Sequence, residues 1–220
     1  EQKRIYQEMK KDFLTFIEGK EVVATMALTK LLRLQQMASG FCRTFSGQDV
    51  EIKDSPKAEA LKELLEDITP KHKVIVWCAW ISNYATVRRV CDELKIGYGE
   101  LHGQIPVVKR ETIAEDFRKN PNTRVVICHP EATGEGIDLI EASYSIVYSR
   151  GFSLKHEEQG IARNYRKGSI VHEKITRINL VTMKTVDEVI LKALKEKKDL
   201  SVKVLEGVKE TLDNIEKGMI

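Results

Sequence analysis

Apolar residues fall along this chain in two rhythms, and the change between them divides it. Met26, Leu28, Leu31, Leu32 and Met37 recur at helical spacing before Gly40, so residues 3–38 read as a helical segment. The polar stretch 44–56 predicts a loop or small hairpin. Beyond it, short apolar runs alternate with amphipathic stretches. Residues 55–68 predict a helix with Ser55 as N-cap, Pro56 in the first turn and Glu59 close behind. The runs 73–80, 98–103, 123–128, 145–149 and 174–182 predict strands, and 83–94, 107–120 and 185–200 predict helices. Such alternation implies an α/β fold, a doubly wound parallel sheet of about five or six strands with helices on both faces. In such sheets function gathers in the loops at the carboxyl ends of the strands. The expected segmentation is a helical region over 1–50, the α/β domain over 51–200 and a helical tail over 201–220.

Composition narrows this picture little. A length of 220 residues suffices for one good-sized domain plus accessory helices. The net charge of +3 is too small to identify a nucleic-acid partner, which leaves local clusters to decide. No run reaches the roughly 18 apolar residues of a membrane span, so no membrane partner is expected. The amino terminus is charged, has no signal-peptide core and lacks an initiator Met, so the chain reads as a fragment of something longer. Cysteines 42, 78, 91 and 128 show no CxxC spacing and read as reduced core thiols of a cytoplasmic protein. The scattered histidines make no metal-ligand pattern, and no metal site is expected in the chain itself.

Two stretches carry candidate chemistry. In EEQGIARNYRKGS, residues 157–169, Gln159, Arg163 and Arg166 stand at i, i+4 and i+7 and share one helix face. One amide and two guanidinium forks suit an oxyanion-rich ligand such as a phosphate chain; a solvated basic face is the other reading. In GEGIDL, Gly134 and Gly136 bracket Glu135 just past a predicted strand, with Asp138 following. Such glycines let backbone amides approach a ligand, or simply make a tight turn. Leu139 stands where a dinucleotide fingerprint needs its third glycine. The Asp-Glu pairs at 92–93 and 187–188 fall in predicted helices and read as solvated faces. There is no P-loop: the one Gly-Lys pair, Gly19-Lys20, has Leu14 at the place of the first glycine.

The order of these stretches resembles the second RecA-like domain of superfamily-two helicases, in the Swi/Snf-type DNA-translocase branch. Residues 73–94 resemble motif IV, and 101–128 the region after it, with a His-Gly turn and an Arg-containing helix. Residues 132–153 resemble motif V, and QGIARNYRKGS resembles motif VI. The helices before residue 50 are similar to those leading in from a first RecA-like domain. The sequence departs from the family at His129-Pro130, where many relatives carry Ser-Thr, at Thr133, at Asp138, and at Tyr165 and Ser169 of motif VI. Its wording is closest to phage or bacterial members, which sets the expected location as the cytoplasm of a bacterial or phage-infected cell.

The resemblance implies the second motor lobe of an ATP-dependent DNA translocase, a hydrolase whose ATP and Mg2+ are held mainly by a first lobe absent from this chain. The chain alone is then expected to be inactive. Arg166 becomes the arginine finger, Arg163 lies beside it on the phosphates, and Gln159 positions nucleotide or water. Gly134, Gly136 and Asp138 approach the nucleotide, although Asp138 also reads as a helix N-cap. The partners implied are the first RecA-like domain of the same parent and DNA, held by its backbone without sequence preference. Ser82 and Asn83, through free amides at a helix start, and Lys109 and Arg110, at the start of the next, are the DNA candidates; ordinary caps and surface charges are the alternative. Two other classes stay open: a non-catalytic module of RecA-like fold that binds nucleic acid or protein, and an unrelated doubly wound enzyme.

Overall fold

The structure is a computed structural model of the whole chain, and it describes residues 2–18, 24–44, 46–132, 137–151 and 172–196. It divides into two compact units, one comprising 1–55, 152–154 and 181–220, the other 56–151 and 155–180.

In the first unit, α1 (Gln2–Glu18) and α2 (Ala24–Ala38) are followed by a hairpin of β1 (Phe41–Arg43) and β2 (Asp49–Glu51). The expected small hairpin is thus present. The last helix of the described residues, α6 (Val186–Lys195), belongs here too. Val186, Val189, Ile190 and Leu194 pack with Tyr6, Leu31, Leu34 and Met37. Its amphipathic pattern identified a buried face but not the neighbour, which is why the sequence grouped it with the α/β region. The hydroxyl of Tyr6 accepts the Val186 amide at 2.8 Å, and burial pushes that phenol's pKa well up. Thr185 caps α6 by accepting the Asp187 amide. Asp187 is buried rather than solvated, and its carboxylate accepts the Thr182 amide at 3.2 Å. The Asp-Glu pair therefore organises a helix start.

The second unit is built on five parallel strands in the order β4-β5-β3-β6-β7: β3 (Lys73–Trp77), β4 (Gly97–Leu101), β5 (Thr123–Cys128), β6 (Ala142–Val147) and β7 (Thr176–Asn179). β5 matches its expected span to the residue. β6 begins three residues before the expected 145, because Ala142 and Ser143 are buried although small. Alternate side chains feed two cores. Val74, Val76, Val125 and Ile127 face α3 (Pro56–Ile68) and α4 (Ser82–Glu93); Ile75, Trp77, Val126 and Cys128 face α5 (Val107–Lys119). That two-sided burial explains the near-continuous apolar runs. A Cβ on Gly97 would stand 2.5 Å from the Asn122 carbonyl, so the turn entering β5 needs glycine there.

One cap differs from expectation. Ser55 does precede α3, yet its buried Oγ makes no hydrogen bond, so Pro56 carries the helix start without it.

Candidate nucleic-acid interface

Parallel strands separated by helices bring strand ends and helix starts to one edge. Here the loops after β3, β4 and β5 meet and line an open cleft of about 390 Å³ with Ile81, Gly103, Gln104, Arg110, His129, Glu131 and Ala132. Below it the strand ends are dry. Cys78 follows β3, Cys128 ends β5, and the Cys78 amide donates to the Cys128 carbonyl at 2.9 Å. Burial raises both thiols' pKa values well above the ordinary value, and that of Cys91 on α4 is pushed up to about 12. They are packing groups, as the sequence suggested.

Two side chains shape the cleft. Arg110 leaves the first turn of α5 and turns back over the loops. Its Nε donates to the Ile105 carbonyl at 2.7 Å, one terminal nitrogen to Ala132 at 3.0 Å and the other to Gly103 at 3.1 Å. One fork thereby ties the loop after β4 to the loop after β5. His129 ties in the third. Its amide donates to the Leu101 carbonyl at 2.8 Å, and its Nε2 lies 3.2 Å from the Ala79 carbonyl. Nδ1 accepts the Glu131 amide at 3.2 Å, which makes Nε2 the protonated nitrogen. The loop after β3 is further held by Ser149, whose Oγ accepts the Ala79 amide at 3.0 Å.

The four DNA candidates fare differently. Lys109 is exposed beside the cleft. Arg110 lines it, but its donors are spent on carbonyls, so its role is to position loops. Ser82 is half-buried in the first turn of α4. Asn83 does not have the free amide expected of it: the N–H donates to the Trp80 carbonyl at 3.1 Å, and the side chain is fully buried. The cause is local, since Ile81 at the N-cap already has helical dihedrals and the chain turns before α4 begins. No side chain caps α4 or α5, so both helices present uncapped amino ends at this edge.

The nucleotide-side candidates are described in part. Gln159, Arg163, Arg166, Gly134 and Gly136 lie outside the described residues. Asp138 is half-buried, and the chain runs from it through a turn into β6. No helix starts there, which removes the N-cap reading. The sequence missed His129 as a loop-holding residue; its only signal was the departure from Ser-Thr. Among the described residues no cluster of metal-ligating side chains occurs, and no helix is long and apolar enough to cross a membrane.

The family described as helicase conserved C-terminal domain matches residues 56–168, just over half of the chain. The chain belongs to that family. This helicase C-terminal domain is 29% identical over 167 residues to Protein CHROMATIN REMODELING 19 of Arabidopsis thaliana, covering 76% of the chain and 22% of the relative. It is 30% identical over 158 residues to ATP-dependent helicase fft2 of Schizosaccharomyces pombe, covering 69% of the chain and 12% of the relative. The match thus spans less than a quarter of either protein. Among solved structures, the Sulfolobus solfataricus SWI2/SNF2 ATPase core in complex with dsDNA superposes with a TM-score of 0.73 at 20% identity, covering 96% of this chain and 45% of that one. That likeness establishes the α/β RecA-like fold. The relatives are eukaryotic, so the phage or bacterial wording expected from the sequence has no support.

Proposed function

We propose that this helicase C-terminal domain is the second motor lobe of an ATP-dependent DNA translocase of Swi/Snf type, with its cleft serving as part of the DNA track. The observation that carries the reading is the cleft itself. Three loops at the carboxyl ends of β3, β4 and β5 are locked by Arg110 and His129 into one concave edge that also holds two uncapped helix starts and the exposed Lys109. A phosphate entering there meets partial positive charge from the helix ends and full charge from Lys109. Glu131 opposes it from the wall, so the backbone is held by a few contacts and released readily. Such contacts carry no sequence information, as a tracking motor requires. The fold and the family match support the same reading, and the SWI2/SNF2 core that shares the fold was solved with double-stranded DNA.

In this reading ATP and Mg2+ are held mainly by a first RecA-like lobe of the same parent protein. Gln159, Arg163 and Arg166 then approach the phosphates from this chain, with Arg166 as the finger that stabilises charge on the transferring phosphoryl group. The test is phosphate release from the full-length protein with duplex DNA present. Arg166→Ala should lower turnover by ~10³-fold or more, and lysine at that position should not restore it. Near-normal turnover in a folded Arg166→Ala protein rejects the motor-lobe assignment.

A further inference from the structure

The α/β unit buries its large apolar side chains with three exceptions among the described residues: Ile81, Val107 and Val108, which are 42%, 66% and 77% exposed. Single exposed aliphatics need no explanation. These three, however, gather at one edge. Ile81 lines the cleft from the start of α4, and the two valines form the first turn of α5, directly before Lys109 and Arg110. Helix formation does not ask for them, since β-branched residues are poorer helix formers than straight-chain polar ones. A protein partner fits poorly: a stable interface takes about 800 Å² per partner around buried anchors, and three aliphatic side chains beside a lysine supply little of that. A DNA backbone fits better, because each nucleotide presents a phosphate and next to it a sugar face that in DNA carries no 2′-hydroxyl.

We propose that Val107 and Val108, with Ile81 on the cleft wall, form an apolar rail that packs on deoxyribose while Lys109 and the helix ends take the phosphate. The edge then selects DNA over RNA. A ribose 2′-hydroxyl pressed against valine methyls loses its hydrogen bonds to water without replacement, which is the penalty that discriminates. The inference rests on the DNA-track reading and adds the sugar as what the apolar rim recognises.

The experiment measures affinity of the full-length protein for a DNA duplex and an RNA duplex of the same sequence, at one salt concentration. The wild type should prefer DNA. The V107T/V108T variant keeps size and β-branching and places a hydroxyl where a methyl stood; it should lose about tenfold in DNA affinity and stay within about twofold on RNA. V107S/V108S, at the same exposed helix start, should show the same selective loss. Equal loss on both duplexes, or unchanged affinity for both, overturns the rail; the latter places the valines against protein. A wild type that binds both duplexes without preference overturns this inference alone. A wild type that binds neither overturns the DNA-track reading beneath it.

Discussion

At the amino end of the parallel sheet, Lys73 gives its ammonium to the carbonyls of Phe117, Arg118 and Asn120, where α5 ends. At the carboxyl end, Arg110 gives its guanidinium to the carbonyls of Gly103, Ile105 and Ala132, near where α5 begins. The chemistry is the same and the outcome differs. Around Lys73 the polar groups satisfy one another. Asp116 accepts from Thr123 at 2.6 Å and from Asn120 at 3.0 Å, which holds its carboxyl below the usual range. The Ser143 hydroxyl pairs with the His72 ring at 2.9 Å, and Arg118 pairs with Glu141 at 3.1 Å. That end is closed. Around Arg110 the bonds hold loops apart as cleft walls, and a cation, two helix starts and three aliphatic side chains stay exposed. A carbonyl-bound cation is thus no sign of function by itself. What its bonds leave open decides.

The largest effect should come from Arg110→Ala in the full-length protein. Three charge-assisted bonds vanish, so stability should fall by about 2 kcal/mol in urea denaturation and duplex DNA affinity by about tenfold. Lysine should not substitute, because one ammonium cannot reach three carbonyls set for a fork. The salt dependence separates Arg110 from its neighbour. If Arg110 shapes the cleft without touching phosphate, its loss leaves the slope of log K against log salt unchanged, whereas Lys109→Ala flattens it by ~1. A change of ~2 in the double variant, the sequence-based expectation, would put Arg110 back on the phosphate.

The dry floor beneath the cleft gives a second handle. Cys78, Cys91 and Cys128 have folded pKa values raised by burial, so the folded chain keeps protons that the unfolded chain gives up. Their contribution is fully present below the unfolded thiol value of about 8.5 and is lost as pH rises toward the folded values. Stability should therefore drop above pH 9, by roughly 1.4 kcal/mol per thiol per pH unit, and Cys128→Ala should make that alkaline decline shallower. Denaturant midpoints between pH 7 and pH 10 measure it. An unchanged midpoint across that range means that the floor is wet.

Lys73→Met should do least. It leaves the α5 carbonyls uncapped, costing about 1 kcal/mol, and should not alter DNA affinity. An affinity loss matching that of Arg110→Ala would erase the distinction between the two ends.

The architecture was legible because double-sided burial writes itself as apolar runs, as at 73–77 and 123–128. The location of a site was legible too, since loops after parallel strands converge at one edge. What was not legible is which donors remain unspent there. Nothing in PVVKR tells that three carbonyls, one of them 22 residues on, converge on Arg110. The Asn83 amide looked free at a helix start because the turn at Trp80–Ile81 leaves no pattern in residue types. α6 showed its apolar stripe but not its neighbour, since a stripe identifies a buried face and not what buries it.

Amide hydrogen exchange of the full-length protein with and without duplex DNA tests the central claim most directly, because both ends of the sheet are read in one experiment. DNA should slow exchange in the loops at 78–81, 102–110 and 129–132 and leave 70–73, 117–122 and 140–143 unchanged. Protection at the amino end, or none in the three carboxyl-end loops under saturating DNA, would contradict the assignment of the cleft as the DNA track.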